Sequence, residues 1–222
     1  MLRLIIADAE LELIPERMLH DPAIRKIASK NGKYAGEMLL DSNYMHASID
    51  KYFPGKSNRF GRPDIIYIFL EMAMESILNK NKLLNIYIHT KNNFIINIGP
   101  EVNLPKSYNR FTGLIEDLFR KKTIENNGNI LLSLINEKLI PFLEKLDGKT
   151  IVLSPGGTGS KVSEIINDED LNVIIGGFSE GDFITDLYDK YSSYSIFNGE
   201  LTIWSAGMEV ITEYERFRSV VD

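Results

Sequence analysis

The sequence of 222 residues contains no cysteine, three histidines and one tryptophan. Without cysteine the chain cannot form a disulfide, a thiolate metal site or a catalytic thiol. This cysteine usage is also the pattern expected of a cytoplasmic protein. His20, His46 and His89 have no metal-ligand spacing, so no metal site is predicted. We expect each histidine to be a surface or packing residue.

Long hydrophobic runs are missing as well. No apolar run approaches the ~20 residues that a bilayer-spanning helix needs, so no membrane partner is expected. The apolar start of the chain is too short for a signal peptide, because Asp8 and Glu10 follow residues 1–7 at once. The sequence also contains no G-x-S-x-G or H-E-x-x-H pattern, no Walker A loop and no Rossmann fingerprint.

The composition is that of a globular protein, with 44% hydrophobic and 25% charged residues, and the length predicts one domain over 1–222. The net charge of −6 is unevenly distributed. Residues 51–122 carry a net charge of +6, whereas residues 123–222 carry −10. This asymmetry has two interpretations, a positive patch that binds a polyanion or a set of scattered solubilising lysines.

Hydrophobic periodicity predicts alternating strands and helices. The predicted strands are residues 2–6, 84–88, 94–98, 150–153 and 172–175, with a hairpin turn over 90–93. The predicted helices are 22–30, 63–79, 111–119, 130–146 with a bend near Pro141, and the last 20 residues, with a loop over 50–62. This order favours an α/β fold with a largely parallel sheet. In such sheets ligands bind at the carboxyl ends of the strands.

Two glycine-rich segments follow predicted strands. Ser154–Lys161 comes after strand 150–153, and Gly176–Phe183 comes after strand 172–175. Glycine tolerates positive φ and lets backbone N–H groups approach a ligand closely. Each segment is therefore either a tight turn or part of a ligand cradle, and both interpretations stay open.

Several segments together resemble a known family of enzymes. The segments are Ala7–Pro15, Leu39–Ser42 with His46, Gly61–Ile65, Tyr87–Thr90, Leu104–Leu114, Gly176–Phe183 and Ser195–Leu201. They are similar to the SPOUT-class methyltransferases that methylate the N1 nitrogen of pseudouridine in small-subunit ribosomal RNA. This family comprises the essential-for-mitotic-growth proteins of eukaryotes and their archaeal counterparts, and the chain resembles the archaeal type. The Gly-Arg-Pro-Asp and Tyr-Asn-Arg-Phe segments are the most specific.

The resemblance implies a fold and a cofactor. The fold would be a SPOUT-type α/β sheet with a C-terminal trefoil knot and family-specific inserted segments, in a homodimer with its active site near the interface. S-adenosylmethionine would lie bent in the knot. The implied cofactor-binding residues are Leu153, Ser154, Gly176, Gly177, Gly181, Ile196, Phe197, Asn198, Gly199, Glu200 and Leu201.

The resemblance also implies RNA-binding residues, at Arg62, Asn103, Lys106 and Arg110. Asp64 and Arg62 are the candidate catalytic residues, and Asp64 either orients Arg62 or accepts a proton. The family often has arginine at positions 103 and 106, where this chain has asparagine and lysine. Lysine lacks the bidentate fork of arginine, so weaker phosphate binding is expected. The family tends to have Pro-His where this chain has Ser179-Glu180.

The implied function is methylation of a pseudouridine N1 in a hairpin loop of small-subunit rRNA, with a role in ribosome biogenesis and rRNA processing. Ribosomal proteins of the small subunit are expected as further partners. Two alternatives remain. One is a different SPOUT enzyme that acts on tRNA or on a ribose 2′-hydroxyl. The other is an rRNA-binding ribosome-assembly factor in which methylation is secondary or lost.

Overall fold

One eight-stranded sheet organises residues 1–220, the part of the chain that this computed structural model describes. The strands are β1 (Leu2–Ala9), β2 (Leu84–Thr90), β3 (Phe94–Ile98), β4 (Thr123–Asn126), β5 (Asn129–Asn136), β6 (Lys149–Gly159), β7 (Leu171–Gly176) and β8 (Ser192–Ser195). The helices are α1 (Pro22–Lys30), α2 (Ser42–Tyr52), α3 (Pro63–Met74), α4 (Ile77–Lys80), α5 (Tyr108–Lys121), α6 (Leu139–Leu143), α7 (Val162–Ile165) and α8 (Ile203–Phe217).

The sheet is mixed rather than largely parallel. Its order is β4-β5-β3-β2-β1-β7-β6-β8. Five adjacent strands, β2, β1, β7, β6 and β8, pair in parallel. Strands β3, β5 and β4 extend the sheet beyond β2 by antiparallel pairing. The sequence predicted the α/β fold and the β2–β3 hairpin, but it overestimated the parallel share because it missed β4 and β5.

Successive side chains of β1 point to opposite faces of the sheet, so alternate residues belong to two hydrophobic layers. Leu2, Leu4 and Ile6 belong to the larger core, which the apolar faces of α3, α5 and α8 cover. Ile5 and Ala7 point to the opposite face, into a smaller core. A third cluster joins α1 and α2. Because β1 is buried on both faces, its carboxyl end lies deep in the molecule, and the charged residues that follow it are buried too.

Several predicted helices form where the sequence placed them. Helix α1 begins after Asp21, whose carboxylate accepts hydrogen bonds from two backbone N–H groups of the first turn, and it ends at Lys30. Helix α5 contains the predicted stripe, and Phe111, Ile115 and Leu118 are fully buried. The predicted helix over 63–79 is interrupted at Glu75 and Ser76, where Ser76 caps α4 instead. The predicted loop over 50–62 overlaps the end of α2, which the sequence analysis missed.

The helix predicted over 130–146 is wrong. Residues 129–136 form strand β5, and only α6 is helical in the rest of this segment. Asn127 and Gly128 both have positive φ, at 50° and 82°, and connect β4 to β5. An Asn-Gly pair is the preferred two-residue hairpin turn, because both central positions need positive φ. This hairpin signal outweighs the apolar content of the segment that follows it.

The glycine-rich segment 154–161 is not a loop after a strand. Strand β6 continues through it to Gly159, with a register shift against β8 between Leu153 and Thr158. Gly157 lies against the β8 backbone so closely that a Cβ there would be 2.6 Å from the nitrogen of Tyr194. Gly157 is therefore needed for close strand packing.

No helix within the described range 1–220 has the length and apolar content that crossing a membrane requires.

Gly157→Ala should destabilise the fold, because the new methyl group would overlap backbone atoms that cannot rotate away. We expect a loss of about 1–3 kcal/mol in the free energy of unfolding, measured by urea denaturation. Gly159→Ala is the matched control, since a Cβ at Gly159 meets nothing within 4 Å. Equal stabilities of the two variants would contradict the close packing of β6 and β8.

Candidate active site

A cavity of about 470 Å³ opens at the carboxyl end of β7 and beside residues 153–155 in the middle of β6. Its walls come from these strand ends, from residues 178–183, from residues 194–201 and from the first turn of α8. Arg62 and Ile65, at the start of α3, complete the rim. The volume falls in the ~300–1,000 Å³ range of small-molecule sites. The cavity therefore has the size of a ligand site at the strand edge where α/β sheets place their ligands.

Nine of the eleven residues implied as cofactor-binding line this cavity. They are Leu153, Ser154, Gly176, Gly181, Ile196, Phe197, Gly199, Glu200 and Leu201. Gly177 packs behind the wall, where a Cβ would be 2.7 Å from the Cα of Ala9. Its N–H donates to the carbonyl of Ala7 at 2.7 Å, so it joins β7 to β1. Asn198 is exposed between two lining residues.

The cavity combines backbone polar groups with an apolar floor. Ile196, Leu201 and Trp204 supply apolar and aromatic surface. At the other side, the hydroxyl of Tyr188 contacts Ser154 Oγ at 3.0 Å and the carboxylate of Asp182. Burial, and secondly the hydrogen bond with Asp182, raise the pKa of Tyr188 to about 12. The hydroxyl is therefore protonated at neutral pH and ties the two walls together.

Arg62 and Asp64 form a bidentate ion pair at the cavity rim. Arg62 Nε donates to Asp64 Oδ1 at 2.9 Å, and Nη2 donates to Oδ2 at 3.0 Å. Both side chains are only partly exposed. Two parallel charge-assisted hydrogen bonds fix the plane of the guanidinium. Arg62 therefore has a defined orientation beside the cavity.

The other residues implied in RNA binding lie on the segment that leads into α5. Lys106 forms ion pairs with Glu71 at 3.4 Å and with Glu75 at 3.0 Å. Asn103 is exposed and lines a smaller cavity beside Lys106. Arg110 is exposed in the first turn of α5 and has no salt-bridge partner among residues 1–220. A cation is unfavourable at a helix N-terminus unless an anion compensates it.

Two tyrosines attach this segment to its neighbours, one to α3, which begins after Arg62, and one to Asp41 at the start of α2. The hydroxyl of Tyr67 in α3 donates to the carbonyl of Lys106 at 2.7 Å. The hydroxyl of Tyr108 donates to Asp41 at 2.6 Å, and the two tyrosine rings lie 5.6 Å apart. Lys106 is thus held against α3, beside the smaller cavity that Asn103 also lines.

Sequence reasoning missed a buried cluster of charges behind the cavity. Glu10 is fully buried, and its Oε1 lies 3.0 Å from Arg59 Nε. Glu12 is also buried and lies 3.1 Å from Lys91 Nζ. The acidic residues that directly follow an apolar strand were the available signal. From the sequence, Asp8 and Glu10 served to exclude a signal peptide and the segment Ala7–Pro15 contributed to the family resemblance, but none of these acidic residues was assigned to the site.

Asp8 organises the segment after residue 183. Its carboxylate accepts hydrogen bonds from the backbone N–H groups of Ile184 and Thr185, at 2.7 and 2.8 Å, and from the Thr185 hydroxyl. Burial acts to raise the pKa of Asp8, but the hydrogen bonds from His89 and Thr185 outweigh it and hold the pKa below its ordinary value. Asp8 adopts a φ of 52°, which is uncommon outside glycine and asparagine.

The mixed sheet, the glycine-lined cavity and the adjoining arginine define an α/β protein with a cavity of small-molecule size beside an oriented guanidinium. The family model of the EMG1/NEP1 methyltransferases matches residues 4–215. The chain is 59% identical over 217 residues to the ribosomal RNA small subunit methyltransferase Nep1 of Thermoplasma volcanium, covering 97% of this chain and 98% of that protein. It is 40% identical to the protein of the same name from Thermococcus sibiricus, with 97% and 98% coverage.

A solved structure is also similar. The crystal structure of Archaeoglobus fulgidus Nep1 bound to S-adenosylhomocysteine superposes with a TM-score of 0.88 at 30% identity, and the match covers 98% of both chains. The chain belongs to the EMG1/NEP1 methyltransferase family, which confirms the resemblance stated from its sequence motifs. It is therefore a methyltransferase.

The buried Glu10 should make stability depend on pH. Burial raises its pKa to about 7 from an ordinary value of 4.5, although Arg59 opposes this shift. Because the pKa is higher in the folded than in the unfolded chain, the contribution of Glu10 to stability is complete below about pH 4.5 and is lost as the pH rises through 7.

Glu10→Gln removes this titration. We expect the free energy of unfolding of the wild type, relative to the variant, to fall between pH 4.5 and 7, by at most about 1.4 kcal/mol per pH unit. Urea denaturation at several pH values measures the difference. A difference that stays constant with pH would contradict the raised pKa of Glu10.

Proposed function

We propose that this methyltransferase transfers a methyl group from S-adenosylmethionine to the N1 nitrogen of a pseudouridine in small-subunit ribosomal RNA. The observation that carries the proposal is the position of Arg62, an implied RNA-binding residue, on the rim of the cavity that the implied cofactor residues line. The names of the relatives support rRNA as the substrate. The ligand named for the Archaeoglobus fulgidus structure supports the donor.

The cavity fits a bent adenosyl ligand in size and in chemistry. Its glycines and strand ends expose backbone donors and acceptors, and Trp204 and Leu201 offer flat or apolar surface for a purine ring. The methyl donor supplies an electrophilic methyl group on a sulfonium. Leu153, Ser154, Gly176, Gly181 and residues 196–201 would hold it, with Gly177 supporting the wall from behind.

The strand order supports a trefoil knot in the C-terminal part. After β7 the chain passes the carboxyl end of β6 to reach β8 at the edge of the sheet, and α8 then returns to pack on α3, β7 and β1. A knot needs such a crossing of the chain over its own earlier course. One sheet joins all the strands, which supports a single methyltransferase domain over 1–222, although Val221 and Asp222 lie outside the described residues.

An exposed apolar surface supports a homodimer. Ile68 and Met72 on α3 are 38% and 41% exposed, and Phe197 and Leu201 at the cavity are 56% and 38% exposed. Phe197 and Leu201 lie in the segment that leads from β8 into α8, and α8 packs against α3. Apolar side chains exposed together commonly mark interfaces. Ribosomal proteins as partners and a cytoplasmic location stay predictions.

The RNA would bind on the side of Arg62 and Arg110. A stacked base cannot reach the donor, so the target nucleotide must leave its stack, which is easiest in a hairpin loop. Arg62, fixed by Asp64, and Arg110, which has no salt-bridge partner within residues 1–220, would contact phosphates or stack on bases. Lys106 must exchange Glu71 and Glu75 for a phosphate, and Asn103 adds no charge.

Methyl transfer depends mainly on the alignment of the pseudouridine N1 with the methyl group of the donor. The pseudouridine N1 carries a proton and is a weak nucleophile, so correct placement against the methyl carbon matters most. Orientation of two reactants can supply ~7–11 kcal/mol of the barrier. Asp64 has both carboxylate oxygens engaged by Arg62, which favours an orienting role over proton acceptance.

A methylation assay on matched RNA hairpins tests the proposal. Two hairpins should differ only in uridine or pseudouridine at the target position, with S-adenosylmethionine as donor. We expect methyl transfer to the pseudouridine hairpin and none to the uridine hairpin, because only pseudouridine has a free N1–H. Equal transfer to both would indicate a different SPOUT reaction. RNA binding without donor binding would favour the assembly-factor alternative.

Asp64→Asn tests the role of the ion pair. The loss of one charge should release the orientation of Arg62, so RNA affinity should fall by about tenfold, while S-adenosylhomocysteine affinity stays unchanged. Filter binding and isothermal titration measure the two affinities. If RNA affinity stayed intact while turnover disappeared, Asp64 would be the proton acceptor instead.

A further inference from the structure

Arg59 connects two loops that are distant in sequence. These are the donor loop, residues 178–183 on the cavity wall, and the RNA loop, residues 57–62 ending at Arg62. Arg59 Nη1 donates to the carbonyls of Glu180 and Asp182, both at 2.9 Å, and its guanidinium lies 4.3 Å from the ring of Phe178. One side chain of the RNA loop therefore fixes the backbone of the donor loop at two points.

The glycine in the donor loop is shaped around this contact. Gly181 has a φ of +83°, and a Cβ there would be 2.7 Å from Arg59 Nη1. The guanidinium occupies the space that any larger residue would need. The two carbonyls turn toward Arg59 because the chain reverses at Gly181, a turn that favours glycine.

Ser179 makes a second connection between the same loops. Its hydroxyl donates to the carbonyl of Asn58 and lies 3.3 Å from Glu10 Oε2, and its backbone N–H points to the same oxygen at 3.4 Å. Glu10 thus contacts Ser179 of the donor loop and Arg59 of the RNA loop with one carboxylate.

The backbone of the RNA loop forms hydrogen bonds with the same buried residues. The N–H of Arg62 donates to the carbonyl of Glu10 at 2.8 Å, and the N–H of Gly61 donates to Glu12 at 2.9 Å. Lys91 donates to the carbonyl of Arg59 at 2.7 Å. A shift of the donor loop would therefore displace the anchor that positions Arg62.

The cluster is buried and only partly hydrogen-bonded. Arg59 Nη2 is buried and makes no hydrogen bond within residues 1–220. Unmade hydrogen bonds of buried charged groups are costly, so a small rearrangement that supplies an acceptor would be favourable. Such a network can adopt more than one set of hydrogen bonds. A ligand that binds one of these arrangements more tightly changes the position of both loops.

We propose that Arg59 is a positioning residue that couples the two binding steps, so that the methyl donor and the RNA bind cooperatively. This inference rests on the proposed function, because it takes the donor cavity and the RNA surface as given. Linkage requires the coupling to be reciprocal, so each ligand tightens the other by the same factor. We expect a factor of about 5 or more.

Arg59→Lys tests the coupling. Lysine keeps the charge but lacks the fork that donates to two carbonyls. Isothermal titration with S-adenosylhomocysteine, with and without a pseudouridine-containing hairpin, gives the coupling factor without chemistry. We expect the factor of the variant to fall close to 1 and its S-adenosylhomocysteine affinity to fall severalfold. Arg120→Lys is the matched control and should keep the wild-type factor, because within residues 1–220 Arg120 forms an ion pair with Asp117 of α5 and no other.

Ser179→Ala keeps the test decisive if Arg59→Lys does not fold. Ser179 is exposed, and its removal should also lower the coupling factor, by less than Arg59→Lys. Independent binding of the two ligands to the wild type would overturn the inference and leave the proposed function intact. An unchanged factor in Ser179→Ala or Arg59→Lys would do the same. A wild type that does not bind S-adenosylhomocysteine would instead overturn the proposed function.

Discussion

The burial of Glu10 is the constraint on which the site depends. A carboxylate fully removed from water must be compensated, and Arg59, Ser179 and the surrounding backbone supply that compensation. These partners come from two loops that are more than a hundred residues apart in sequence. Satisfying one buried charge therefore brings the wall of the cavity and the segment before Arg62 into contact. Burial raises the pKa of Glu10 more than Arg59 and Ser179 lower it.

The sheet explains why this happens at one edge. Strand β1 is central and buried on both faces, and its parallel neighbours β2 and β7 end at the same level. Asp8 near the end of β1, and Glu10 and Glu12 just after it, are buried and bind the loops that leave the adjacent strands. The cavity forms beside them, where β7 ends next to the middle of β6 and the first turn of α8 closes the space.

Fewer basic side chains are free to bind phosphate than the net charge of residues 51–122 indicates. Arg62 and Lys106 are paired with Asp64, Glu71 and Glu75, so little of that charge is free for phosphate. Asp64 neutralises the charge of Arg62 but fixes the orientation of its guanidinium. At Lys106 an incoming phosphate has to displace two carboxylates. Affinity for RNA would therefore rest on geometry at Arg62 and on charge at Arg110.

The sequence alone determined the α/β class, the hairpin over 90–93, the stripe of α5 and the family, because these depend on local periodicity, turn chemistry and specific motifs. Through the family resemblance it also named eleven cofactor residues, nine of which line the cavity. Tertiary structure alone decided that 129–136 is a strand, that Gly157 and Gly177 serve packing, and that Glu10 contacts Arg59. Those outcomes depend on which distant segments of the chain come into contact. In the sequence, a buried charge is marked only by an acidic residue next to apolar ones.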